Sequence, residues 1–238
     1  MGESRGVAAA AVLGLLLAAG LAAGGALVGV ALGEVRRADR YVTVKGFAER
    51  EVEANLAVWP LVYNAIGNDL ARVQADLDED AAAIRGFLAG RGFRPEEVTL
   101  SAPRVTDFEA QWSSGERPVN RYMAEATLTL RTPNVGAVKE AMQASTDLVK
   151  QGVALLRSYE YNPLFLYTDL NAIKPEMIAA ATLDARRAAE QFAKDSGSRV
   201  GAIRSAQQGY FQIEDRDAHA PEWKKIRVVT TVEYFLED

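Results

Sequence analysis

The only histidine, His219, lies in the charged loop Glu214–Lys225, close in sequence to Asp215 and Asp217. An imidazole beside a carboxylate is the pairing that serves general-base catalysis, but a triad also needs a positioned nucleophile and an oxyanion hole. The sequence contains no G-x-S-x-G elbow, no Walker A loop and no G-x-G-x-x-G, which removes the common hydrolase, nucleotide-phosphate and dinucleotide signatures. His219 therefore reads as a solvated loop residue. Asp76, Asp78 and Asp80 have the spacing of the first half of a calcium-binding EF loop, yet Ala81 stands at the glycine turn and Phe87 at the bidentate glutamate. They read instead as the polar face of a helix. Glu214, Asp215 and Asp217 could hold a cation weakly, but pairing with Arg216, Lys224 and Lys225 is the simpler arrangement. With no cysteine and one histidine among 238 residues, disulfides, thiolate chemistry and His-rich metal sites are excluded. The sequence assigns no catalytic, cofactor-binding or metal-binding residue, and no cofactor.

Trp59, Trp112, Tyr159, Tyr161, Phe165, Tyr167 and Phe211 could line a ligand groove. Strand aromatics more often fill sheet faces, so core is their default reading. The net charge of −5 without a long basic run argues against nucleic acid as a partner, because phosphate neutralisation needs clustered Lys and Arg.

Stepping outward along the chain, Val7 to Gly33 are 27 consecutive positions without a charge, more than the roughly 20 apolar residues a transmembrane helix needs. Signal peptides carry an apolar stretch of only about 7–15 residues, so an uncleaved single-pass anchor is expected. Within it Gly20 and Gly24, then Gly25, Gly29 and Gly33, recur every four residues; this pattern predicts a glycine face for helix–helix packing. Arg36, Arg37 and Arg40 follow the segment while only Arg5 precedes it, so positive-inside counting alone would leave the remainder in the cytoplasm. The expected organisation is a tail at 1–6, an anchor at 7–33, a linker at 34–40 and an α+β domain at 41–238.

In that domain, with 23 basic and 29 acidic residues, Tyr41–Phe47 and Glu51–Ile66 read as strands. Pro60 belongs at a bulge or an unpaired edge, since it lacks the ladder N–H. Asn68 or Asp69 caps a helix with the stripe Leu70, Val73, Leu77, Ala81, Ile84, Leu88, ending at Gly90 or Gly92. Val98–Trp112 and Asn120–Arg131 form a long hairpin around Ser113–Pro118. Thr132-Pro133 starts a second helix bearing Val135, Val138, Met142 and Val149. Ala154–Tyr167 is a strand broken near Pro163, and Ile178, Ala181, Ala185, Ala188 and Phe192 mark a third helix. Ile203–Ile213 and Ile226–Leu236 close as strands. The fold class is α+β: an antiparallel-rich sheet of long hairpins packed by about three helices, preceded by one N-terminal transmembrane helix.

Six stretches carry a family resemblance: Ala38-Asp-Arg-Tyr-Val-Thr-Val-Lys-Gly46, Ala57-Val-Trp-Pro-Leu61, Leu170-Asn-Ala-Ile-Lys-Pro-Glu-Met177, Asp195-Ser-Gly-Ser198 with Gly201-Ala-Ile203, Gly209-Tyr-Phe-Gln-Ile-Glu-Asp-Arg-Asp217, and Val228-Val-Thr-Thr-Val-Glu-Tyr234. They span essentially all of Tyr41–Asp238, and the chain resembles the SIMPL-domain proteins (domain of unknown function 541). The resemblance implies an α+β domain outside the cytoplasmic membrane, in proteins some of which are associated with oxidative stress or with large ring-like or channel-like homo-oligomers. It supplies no catalytic residues. On orientation it outweighs three arginines, so the expected location is the cytoplasmic (inner) membrane, with the C-terminal domain in the periplasm or outside the cell.

The function expected from these readings is a non-enzymatic envelope protein, held at the membrane by its N-terminal helix and assembling with copies of itself. A carboxylate-dependent enzyme for small molecules or carbohydrates is the alternative from another class, and it requires a deep pocket with convergent acids. A monomeric module binding another envelope protein is the third.

Overall fold

A computed structural model describes residues 14–29, 40–115, 118–156, 158 and 161–237. The first helix, α1, covers residues 14–29 with every side chain exposed. At 1.5 Å per residue it is about 24 Å long, and among the described residues no helix is long and apolar enough to cross a membrane. The remainder of the expected anchor, 7–13 and 30–33, lies outside the described residues, as does Gly33.

From residue 40 the chain is mixed α+β with antiparallel pairing. The strands are β1 (Tyr41–Glu53), β2 (Leu56–Gly67), β3 (Val98–Leu100), β4 (Arg104–Asp107), β5 (Tyr122–Thr132), β6 (Leu164–Leu166), β7 (Arg199–Gln208), β8 (Gln212–Asp215) and β9 (Trp223–Glu237). The further helices are α2 (Leu70–Ala89), the short α3 (Phe108–Gln111), α4 (Val135–Gln143), α5 (Thr146–Lys150) and α6 (Leu170–Asp195). The single sheet expected from sequence is in fact two: β1-β9-β7 with β8 also on β9, and β3-β5-β2-β6 with β4 also on β5. The expectation of about three helices is short of the number found. The first two strands do not form a hairpin with each other, because β1 pairs with β9 and β2 pairs with β5.

The described chain divides into two compact units, one holding 50–174 and 212–226, the other Pro175–Phe211, Arg227–Asp238 and the residues up to Glu49. In the first, β2 and β5 run antiparallel from Ala57↔Thr132 to Gly67↔Tyr122. This register places Trp59 opposite Leu130, Leu61 opposite Leu128 and Tyr63 opposite Ala126, and all six are buried in one core with Val73, Leu77, Ile84 and Leu88 of α2. Each fully buried leucine-sized side chain there contributes about 1.5–3 kcal/mol relative to exposure. Asp69 starts α2, its carboxylate accepting from the N–H groups of Ala71 and Arg72 at 2.8 and 3.2 Å. Gly90 is the C-cap and Gly92 makes the left-handed turn beyond it at φ +83°.

The second expected helix differs at both ends. Thr132 belongs to β5, and Asn134 caps α4 by accepting from the Ala137 N–H at 3.2 Å. The helix then breaks at Ala144-Ser145 before α5, which shifts its phase, so Leu148 is buried and the anticipated Val149 is exposed. The expected long hairpin is shortened likewise: β3 and β4 are separate short strands on β5, and residues after Asp107 coil into α3.

Pro60 sits inside the regular β2–β5 register, opposite Thr129, and not at a bulge. On its other side Asn64 N–H bonds Ala154 O and Val62 O accepts from Leu156 N–H, so even-numbered β2 residues turn their backbone groups away from β5. Pro60 shares that side. Its missing donor falls in the gap between the end of β6, at Val58↔Leu164, and the bridge Tyr63↔Leu155, where no ladder bond is forfeited among the described residues.

In the second unit α6 buries Met177, Ala181, Ala185, Ala189 and Ala193, a four-residue alanine stripe. Of the residues expected to mark this helix, Phe192 is exposed. The stripe exists because β1 comes close: a Cβ added to Gly46 would collide with the Ala181 carbonyl oxygen and the Ala185 nitrogen and lie 2.8 Å from the Ala185 Cα. All three obstacles are backbone, which cannot swing aside. Gly46→Ala is therefore expected to lower stability by about 1–3 kcal/mol or more, read as a drop in the thermal midpoint; an unchanged midpoint would mean that the strand and helix separate freely here.

Candidate functional site

The sequence-level candidates separate into solvated groups and core. His219 is exposed, its backbone N–H donating to Asp217 at 2.9 Å. Asp217 also receives Arg216 Nε at 3.0 Å, and this bond, with the His219 N–H, holds its carboxyl below the usual carboxylate range. Arg216 reaches Glu51 at 3.7 Å and lies over the Trp223 ring. Asp215 pairs with Lys224, as the charge pattern suggested.

Asp76 pairs with Arg72 at 3.1 Å and Asp78 accepts from Gln74 at 3.0 Å. Burial, then Asp76 and Glu79, push the Asp80 carboxyl up. Among the described residues no group of three or more His, Asp or Glu is placed to hold a metal ion. Of the aromatics, Trp59 and Phe165 are buried in the core, Trp112 is exposed, and Tyr159 lies outside the described residues. Tyr161 and Trp59 line a cleft of about 220 Å³ with Pro60, Met142, Ser145 and Leu155, which opens where Pro60 leaves the sheet unpaired.

Four of the packing glycines fall in α1, and a Cβ on Gly20, Gly24, Gly25 or Gly29 would meet nothing within 4 Å. Their arrangement differs from the expected single face. At about 100° per residue, Gly25 stands some 140° around the helix from Gly20, so Gly20 and Gly24 mark one face, and Gly25 and Gly29 another.

The feature that sequence reasoning missed is a buried carboxylate paired with an exposed lysine. Glu222 is only 6% exposed and pairs with Lys139 of α4 through one carboxylate oxygen, while the other oxygen is buried without a hydrogen-bond partner. The two residues are 83 positions apart, and no local pattern links them. The surface that stands out is β7. It ends its sheet, none of its ten residues is buried, and Ile203 is 50% exposed. The bond from Gly209 N–H to Val229 O fixes odd-numbered backbone groups toward β9, so Ala206 and Gln208 turn theirs outward.

The geometry thus defines an antiparallel α+β protein of two compact units, with β7 an edge strand of one sheet. Within that class the chain belongs to the SIMPL family, described as protein of unknown function (DUF541), whose model matches residues 42–234. Comparison with curated proteins gives no match.

The Lys139–Glu222 pair yields a prediction with a defined pH dependence. Burial pushes the Glu222 carboxyl up, but the Lys139 hydrogen bond and the charges of Lys139 and Arg216 outweigh it and hold the group below its usual range. A folded value below the unfolded one stabilises above the ordinary glutamate pKa, and that stability fades as pH falls through the folded value. Lys139→Met leaves a buried carboxylate without its partner and is expected to cost about 1–3 kcal/mol near neutral pH. Urea unfolding at neutral pH and near pH 4 should show the gap from wild type narrowing in acid; a constant gap would assign the loss to packing of the lysine stem.

Proposed function

We propose that this protein is a non-enzymatic, membrane-anchored component of the cell envelope that assembles with copies of itself, its domain lying outside the cytoplasmic membrane. The single observation that supports this reading is β7, a sheet edge with none of its residues fully buried and with the outward backbone groups of Ala206 and Gln208 unclaimed by β9. Such an edge is a template for pairing with another strand. An anchor built from Val7–Gly33 would add a second weak contact through its glycines, and confinement to one membrane raises the effective concentration of both.

Light scattering of the intact chain in mild detergent, beside a form starting at Asp39, separates the two contributions. Ala206→Pro removes an outward N–H without breaking a bond to β9 and is expected to reduce the assembled species while the unfolding midpoint stays within about 1 kcal/mol of wild type. Gly29→Leu is expected to weaken crosslinking of the intact chain in membranes. A monodisperse monomer from both the intact and the shortened chain sinks the proposal and turns attention to a different protein as partner.

A further inference from the structure

The end of α2 carries a cleft that the assembly reading does not use. Leu88, Ala89 and Gly86 of the helix, with Phe93 and Pro95 of the turn that follows and Val98 at the start of β3, line a cleft of about 280 Å³ that Arg85 and Arg94 also line. Gly86 is the telling residue. Glycine is the poorest helix former after proline, yet here it sits in the last turns of a 20-residue helix. Close approach does not demand it, since a Cβ at this position would meet nothing within 4 Å. What the missing side chain does is leave the cleft open.

The two cations differ. Arg94 is held by Glu96 at 3.2 Å and Glu97 at 3.5 Å, and Glu97 is further fixed by Thr132 Oγ1 at 2.7 Å. Arg85 is exposed and has no carboxylate at salt-bridge distance among the described residues. An apolar lining of leucine, phenylalanine and proline beside a guanidinium with no carboxylate at salt-bridge distance is the chemistry that recognises an apolar anion, and guanidinium geometry favours a carboxylate. The volume is at the small end of ligand pockets, which favours one or two rings over a long acyl chain.

We propose that this cleft binds a compact apolar carboxylate, its rings seated over Gly86 against Phe93 and Val98 and its carboxylate taken by Arg85. The experiment uses the intact chain in lipid nanodiscs, with 2-naphthoate as probe and the neutral 2-naphthalenemethanol as its control, followed by saturation-transfer NMR. Wild type is expected to bind naphthoate saturably with a dissociation constant at or below about 1 mM. Gly86→Leu fills the cleft with a better helix former, so the thermal midpoint is expected to hold or rise while binding weakens at least about tenfold. Arg85→Gln is expected to weaken naphthoate at least about fivefold and leave the alcohol unchanged. Non-saturable uptake by wild type overturns the proposal, as does undiminished binding by Gly86→Leu. Equal weakening of both probes in Arg85→Gln overturns the carboxylate assignment.

Discussion

The pairing of β2 with β5 is the constraint on which the larger unit depends. Its register runs unbroken from Ala57↔Thr132 to Gly67↔Tyr122, and a slip by one residue would turn Trp59, Leu61 and Tyr63 from the helix-covered face to the other. Everything else in that unit attaches to this ladder. The strands β3 and β4 add to the far side of β5, β6 adds to the start of β2, and α2 lies over the apolar face that the register assembles. A proline in so central a strand is tolerated because its absent N–H faces a gap, and the same gap becomes the Trp59–Tyr161 cleft. One local exception to sheet pairing thus follows from the register of the whole ladder.

The other unit depends on a different constraint, the close approach of a strand to a helix. Gly46 supplies the absence of a side chain on β1, and Ala181, Ala185 and Ala189 supply small ones on α6. Here burial comes from proximity of backbones rather than from large side chains, with Val44, Val232 and Tyr234 filling the flanks. Arg186 over the Tyr234 ring and Asp184 accepting the Phe47 N–H at 3.0 Å bind the same two layers through polar groups.

These two modes of packing explain what was legible in the sequence. The α2 stripe could be read from Val73 to Leu88 because large apolar groups alternate with charges at helical spacing, and Asp69 is a cap of ordinary type, although Leu70 is exposed and Phe87 joins the buried face. The face of α6 was legible only in part: Ala181 and Ala185 are buried as expected, but alanines give a weak periodic contrast and the larger Phe192 drew the stripe toward solvent. The break between α4 and α5 leaves no trace in composition, yet it decides whether Leu148 or Val149 is buried. The sheet partners were illegible for another reason. Ala54-Asn55 falls within the expected strand Glu51–Ile66, but it separates β1 from β2 and its groups bond to Glu222, Leu166 and Thr168, more than a hundred residues onward, and such pairings have no local code. For the site the same division holds: Arg216 with Asp217 is a neighbour pair and was visible, whereas Lys139 with Glu222 was not.

The two edges of the β1-β9-β7 sheet differ in their surroundings. Along β1 the Phe47 N–H donates to Asp184, and α6 lies over the sheet face at Gly46. Along β7 the register shifts twice, between Val200 and Ile203 and between Ile203 and Ser205. Irregularities of this kind twist an edge and discourage indiscriminate pairing. Beyond them Ser205 to Gln208 return to regular register with β9. The part of the rim open to another strand is therefore short and polar, bounded by bulges on one side and by Gly209 on the other. An edge so restricted offers about four residues of regular backbone, which is a weak contact by itself.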